Sequence, residues 1–120
     1  MKTILIIDDD VIFRGMLKKL LEREGYGVVE ADNGNSGVAV FQESQPDLVV
    51  CDLIMPNKEG IETIVDLQKI NDQVPIIAVS GGGRMGPEAY LSLAKGLGAR
   101  EVFSKPFVHK DFLKTISSCL

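Results

Sequence analysis

Apolar residues along this chain fall into two kinds of segment that alternate from one end to the other. Short segments occur at Ile4-Leu5-Ile6-Ile7, Val28 to Ala31, Leu48-Val49-Val50-Cys51, Ile76-Ile77-Ala78-Val79 and Val102-Phe103, and their length and apolar character predict strands, buried ones where the run is unbroken. Between them, apolar residues recur at helical spacing. Phe13, Met16, Leu17, Leu20 and Leu21 form the first such stripe, opposed by Arg14, Lys18 and Glu22 and stopped by Gly25. Val38, Ala39 and Phe41 form a weaker second stripe behind an Asn33-Gly34-Asn35 turn, with Gly37 costing that helix about 1 kcal/mol relative to alanine. A loop from Pro56 to Gly60 opens a third helix through Ile61, Ile64, Val65 and Leu67. Pro87 suits the first position of a fourth, which carries Tyr90, Leu91, Ala94 and Leu97 and closes at Gly98. Phe112, Leu113, Ile116 and Leu120 mark the last.

Strands that alternate with helices imply a doubly wound parallel α/β sheet, because parallel neighbours need a crossover and the crossover helices cover both faces. Ligands of such sheets bind beyond the carboxyl ends of the strands. Four of the five runs end in polar groups: Asp8 and Asp9 after the first, Asp52 after the third, Ser80 after the fourth and Lys105 after the fifth. Asp10, next in line, suits a helix cap as well as it suits the cluster.

The 120 residues make one domain, expected to span residues 1–120, and leave no room for a second. Seventeen acidic against 13 basic side chains argue against nucleic acid as the main partner, since phosphate binding needs a concentrated basic face. No apolar run approaches the roughly 18 residues of a membrane span, and the first one is too short for a signal peptide, so the expected address is the cytoplasm. Cys51 and Cys119 have no metal-ligand spacing, and Cys51 reads as a small core hydrophobe. A single histidine, His109, rules out a multi-histidine metal site and reads as an exposed residue at a helix start. Arg14, Lys18, Lys19 and Arg23 read as a solvated basic stripe. Gly81-Gly82-Gly83 lacks the lysine of a phosphate-binding loop and reads as a flexible connection.

Three carboxylates in one crevice repel each other, so either their protons are retained or a cation sits among them. An all-oxygen site with few protein ligands suits Mg²⁺, which keeps several waters and accepts phosphate oxygens as further ligands. With Lys105 as a point charge and Ser80 as a hydroxyl donor, the group held over Asp52 is expected to be phosphoryl, and a carboxylate beside the metal can act as nucleophile and carry it.

The ordered set Asp8-Asp9, Asp52-Leu53-Ile54-Met55-Pro56, Ser80 and Lys105-Pro106-Phe107 resembles the bacterial two-component response regulator receiver domain, of the single-domain chemotaxis-regulator kind, across essentially the whole chain. The resemblance implies a flavodoxin-like (βα)5 fold with a five-stranded sheet in the order 2-1-3-4-5. It implies a switch that takes a phosphoryl group from the phosphohistidine of a histidine kinase, or from a histidine phosphotransfer protein, onto Asp52, and that catalyses only its own phosphorylation and dephosphorylation. Asp9, Asp52 and the Ile54 backbone carbonyl would hold Mg²⁺ directly and Asp8 through water, while Lys105, Ser80 and the Gly81 amide would contact the phosphoryl group. A cis bond before Pro106 is implied as well. The output would pass by protein contact to a partner the sequence does not name, from a monomer or a phosphorylation-dependent dimer. Both a stand-alone receiver and one followed by an effector domain fit a sequence ending at Leu120.

Two positions depart from the family's pattern. Val102 stands where receivers usually carry Tyr or Phe as a rotor that follows the hydroxyl, with Phe103 on the opposite face of the strand. Ser80 and Lys105 lie 25 positions apart, about three more than the usual spacing, and the excess falls in Gly81 to Gly86. That loop is therefore the expected moving element in place of a rotor at Val102. Two alternatives remain in view. One is a receiver-like binding module that is never phosphorylated. The other is a phosphatase, because Asp8-Asp9-Asp10-Val11-Ile12 is similar to the DxDx(T/V) opening of haloacid-dehalogenase-like enzymes, whose first aspartate is the nucleophile; Ile12 breaks that match.

Overall fold

The computed structural model describes residues 1–55, 60–81 and 87–120 of the chain. Five strands and five helices alternate: β1 (Thr3–Ile7), α1 (Val11–Arg23), β2 (Gly27–Ala31), α2 (Gly34–Ser44), β3 (Leu48–Asp52), α3 (Gly60–Ile70), β4 (Ile76–Ser80), α4 (Pro87–Gly96), β5 (Glu101–Ser104) and α5 (His109–Cys119). The strands form one parallel sheet in the order β2-β1-β3-β4-β5, as the family resemblance implies. β1 and β3 lie side by side at its centre, and the chain leaves them in opposite directions, which makes the gap above their carboxyl ends the switch point of the sheet.

Alternation along each strand divides the core in two. Leu5 and Ile7, Val49 and Cys51, and Ala78 point to the face covered by Phe41 of α2, Ile64 and Leu67 of α3 and Ala94 of α4. Ile4 and Ile6, Leu48 and Val50, and Ile77 and Val79 point to the face covered by Leu17 and Leu21 of α1 and Phe112 and Ile116 of α5. Val102 and Phe103, neighbours in β5, pack against different cores, in agreement with the pleat.

Local signals set the helix ends. Asp10 caps α1, its carboxylate accepting from the amides of Ile12 and Phe13, both at 3.0 Å. Gly25 and Gly98 adopt left-handed φ angles of 92° and 119° just past α1 and α4, which lets the next amides, of Tyr26 and Ala99, bond back to the carbonyls of Leu21 and Ala94. The expected Asn33-Gly34-Asn35 turn is instead the start of α2: Asn33 accepts from the Ser36 amide at 2.9 Å, so a residue type common to turns and caps acts here as a cap.

Gly37 is more than a weak helix former. A Cβ at this position would lie 2.7 Å from Cδ1 of the fully buried Ile7 and 3.1 Å from its two γ carbons, so the missing side chain is what allows α2 to lie against β1. Helix propensity favours Gly37→Ala by about 1 kcal/mol, and overpacking a closed core opposes it by about 1 to 3 kcal/mol. Urea denaturation of Gly37→Ala is expected to show a net loss of about 1 kcal/mol; a gain would mean that Ile7 yields freely.

Candidate functional site

The site is built from the carboxyl ends of the strands. Backbone pairing carries β1 and β3 side by side through Ile7 and Cys51, so Asp8 and Asp52 follow at neighbouring positions over the switch point. Asp8 and Asp52 are buried and Asp9 is exposed, yet each offers an oxygen to a group whose atoms all lie within 4.8 Å of one another. From β5, Lys105 reaches across the cluster, its Nζ 3.0 Å from Asp8 Oδ2 and 3.7 Å from Asp52 Oδ2. Ser80 closes β4 as a fully buried residue, one position past the Val79 that pairs with Asp52, and its carbonyl accepts from the Lys105 amide at 2.8 Å. Gly81 is exposed beside the lysine stem, where a Cβ would meet Lys105 Cβ at 3.3 Å. The peptide bond from Lys105 to Pro106 is cis.

Each buried oxygen has a defined role. Oδ1 of Asp8 accepts from the Asp10 amide at 2.9 Å, leaving Oδ2 for the lysine. Oδ1 of Asp52 accepts a long 3.4 Å bond from the Ile54 amide. Gly60 stands directly behind Asp52, where its amide donates to the Leu53 carbonyl at 3.0 Å and a Cβ would collide with the Asp52 carbonyl oxygen. Cys51, one residue before Asp52, is fully buried, and burial, reinforced by the charges of Asp52 and Asp8, pushes its thiol well up.

Of the sequence-selected residues, the structure brings Asp8, Asp9, Asp52 and Lys105 into one cluster, with Ser80, Gly81 and Ile54 on its walls. Asp10 is outside it, as the α1 cap. Val102 is half-buried against the core formed with α2, α3 and α4. Residues 82–86, where the moving loop is expected, and Pro56 lie outside the described residues.

The solvated basic stripe on α1 holds for the exposed Lys19 and Arg23 and needs correction at Arg14 and Lys18. Arg14 is not free on the surface: it donates to the Asp8 carbonyl at 2.7 Å and pairs with Glu30 of β2 at 3.1 Å, and Lys18 joins the same carboxylate at 3.4 Å. The available signal was Glu30 itself, a carboxylate inside an otherwise apolar strand, which calls for a cation. Helical spacing places Phe13 on the core-facing stripe, where it does pack, and its ring in addition carries the Lys105 ammonium 4.0 Å from its centroid. Nothing in the local pattern joins those two positions.

Strand order, switch-point carboxylates and a facing lysine together define a receiver-type α/β signalling domain. Residues 4–117 match the response regulator receiver domain, and the chain belongs to that family, whose members are the phosphorylation-dependent switches of two-component signalling and not classical enzymes. It is 38% identical over 107 residues to a chemotaxis protein CheY of Thermotoga maritima, covering 88% of this chain and 87% of that one. It is 36% identical over 118 residues to CheY of Bacillus subtilis, covering 98% and 96%. A response regulator of Thermotoga maritima, TrrA, solved in complex with Mg²⁺-BeF, superposes with a TM-score of 0.89 at 30% identity and full coverage of both chains. Such domains work with histidine kinases and downstream effectors. Among the described residues no helix is long and apolar enough to cross a membrane.

Burial, then the charge of Asp8, raise the Asp52 carboxyl to about 7, with Lys105 and the Ile54 amide pulling the other way and Asp9 adding to the rise. An acid whose folded value is raised contributes stability that is fully present below its unfolded value near 4 and is lost as pH climbs through about 7. Without divalent cations, Asp52→Asn is therefore expected to be about 2 to 4 kcal/mol more stable than the parent at pH 8, with the gap closing towards pH 4. Urea midpoints across that range check this, and a gap independent of pH would contradict it.

Proposed function

We propose that this receiver, one domain over residues 1–120, is phosphorylated on Asp52. The observation that carries the reading is the convergence of Asp8, Asp9 and Asp52 oxygens within 4.8 Å under a lysine that already bridges two of them. Among the described residues this cluster has only oxygen donors, two from buried carboxylates, which fits a small hard cation and not a thiolate- or imidazole-seeking metal. Asp9, Asp52 and the Ile54 carbonyl would hold Mg²⁺ directly, with Asp8 acting through water. Bound there, the ion would neutralise phosphoryl oxygens and relieve the repulsion that raises Asp52, favouring the carboxylate over the acid at neutral pH.

The remaining work belongs to the chain. A carboxylate oxygen of Asp52 attacks the phosphorus of a phosphohistidine, a P–O bond forms as the P–N bond breaks, and the imidazole leaves with the electron pair and is protonated. Lys105 turns from the carboxylates towards the new dianion, and the Ser80 hydroxyl and Gly81 amide donate to its equatorial oxygens. Water attack on the same acyl phosphate would reverse the modification, making the domain a catalyst of its own phosphorylation and dephosphorylation only. Ser80 and Val102 form the switch pair; Val102 is too short to swing as an aromatic rotor does, so the hydroxyl's movement has to be read by other means. The donor is a histidine kinase or histidine phosphotransfer protein in the cytoplasm, and the output is a contact with another protein, made by a monomer or a phosphorylation-dependent dimer and not with nucleic acid.

Acetyl phosphate with Mg²⁺ is expected to add one phosphoryl group, detected by mass spectrometry, and Asp52→Asn is expected to abolish it; undiminished labelling of that variant, or labelling at Asp8, would reject the assignment. Saturating Mg²⁺ is expected to stabilise the native state by about 1 to 3 kcal/mol through mass action. Asp9→Asn should remove most of that gain, and an equal Mg²⁺-dependent rise in melting temperature would place the ion elsewhere.

A further inference from the structure

The lysine that bridges Asp8 and Asp52 is held by more than charge. Lys105 has a long flexible stem and helps to line a cleft of about 450 Å³ together with Phe13, Met16, Gly81, Pro106 and Phe107. Besides the two carboxylates, the ammonium meets the face of Phe13, with Nζ 4.0 Å from the ring centroid, well inside the roughly 6 Å reach of a cation–π contact. The residue is anchored at both ends of this contact: its backbone amide is bonded to Asp10 in the α1 cap, and its ring meets Phe107 at 5.9 Å with the ring planes at 90°. Phe107 is itself stacked on the fully buried Phe112 at 4.7 Å and tilted against Phe103 at 5.4 Å. Four of the chain's five phenylalanines thus make one contiguous cluster of ring contacts, and Phe13 presents its negative face to the ammonium.

We infer that Phe13 is a positioning residue of the phosphorylation site: its π face holds Lys105 over the Asp8–Asp52 gap and keeps the ammonium out of the adjacent cleft. The inference rests on the reading of Asp52 as phosphoacceptor, with Lys105 the charge that meets the incoming group. Phe13 touches no reacting atom; it acts by shortening the search of a flexible cation for one position, which lowers the ordering cost at the moment of transfer.

Replacing Phe13 with para-fluoro-, 3,5-difluoro- and 3,4,5-trifluorophenylalanine drains the ring face stepwise while nearly preserving its shape. The rate constant for phosphorylation by acetyl phosphate at saturating Mg²⁺ is expected to fall in the same order, by about two- to fivefold at the trifluoro ring, and Phe13→Leu is expected to fall at least as far. In the same series, without phosphodonor or metal, the ring-current shift of the Lys105 ε-methylene protons should move stepwise towards its value in a flexible lysine, whereas a merely structural role for Phe13 would move neither reading with fluorine count. Melting temperatures across the fluorinated series identify any variant that has lost its fold. A parent protein that takes up no phosphoryl group overturns the reading of Asp52 and this inference with it. A parent that is phosphorylated, with rates and shifts flat across the series, overturns this inference alone.

Discussion

One ammonium between two buried carboxylates is the contact around which the upper edge of this molecule is organised. Lys105 stands 3.0 Å from Asp8 and 3.7 Å from Asp52, both nearly inaccessible to water. Removing two carboxylates from water is expensive, and a single positive charge on a flexible stem offsets only part of it. The shortfall appears at Asp52, whose proton is retained to about pH 7. A site in this condition favours any further positive charge and any change that spreads the existing negative charge. The fold supplies the rest of the restraint: the α1 cap and the Arg14–Glu30 pair fix the turn that carries Asp8, and Gly60 closes against the backbone behind Asp52.

That restraint follows from the sheet. Parallel strands place all their carboxyl ends along one edge, so residues far apart in sequence reach one crevice without any loop having to carry them there. Asp8 and Lys105 lie 97 positions apart yet meet because β1 and β5 end on the same edge. The strand order places β1 and β3 together, which is why the buried carboxylates Asp8 and Asp52 are neighbours.

Most of this architecture was legible in the sequence for a physical reason. Strands with two buried faces have to be continuous apolar runs, and a polar residue that ends such a run can only sit at the edge. Asp8, Asp52 and Ser80 follow from that rule, and Lys105 from the shorter pair Val102-Phe103 in the partly exposed edge strand β5. Contacts between elements were less accessible. Asn33 has the same chemistry in a turn and in a helix cap, and only the register of α2 distinguishes them. Gly37 looks like a poor helix residue until Ile7 is seen beneath it. Arg14 and Phe13 lie next to each other on α1, one turned to β2 and the other to the lysine, and helical periodicity assigns faces without saying what stands opposite.

Cys51 adds a property of another kind. Its sulfur lies beside the Asp52 carbonyl at 3.4 Å, one residue from the most strongly perturbed carboxyl of the site, and an exposed thiol there would couple the domain to every oxidant and electrophile in its surroundings. Thiol chemistry proceeds through the thiolate, and burial together with two adjacent negative charges suppresses that form. Burial first, and then the same negative charge that makes the crevice receptive to cations, therefore keep the Cys51 sulfur in its unreactive thiol form, so the residue next to Asp52 resists oxidation at the point where the domain is most sensitive to charge.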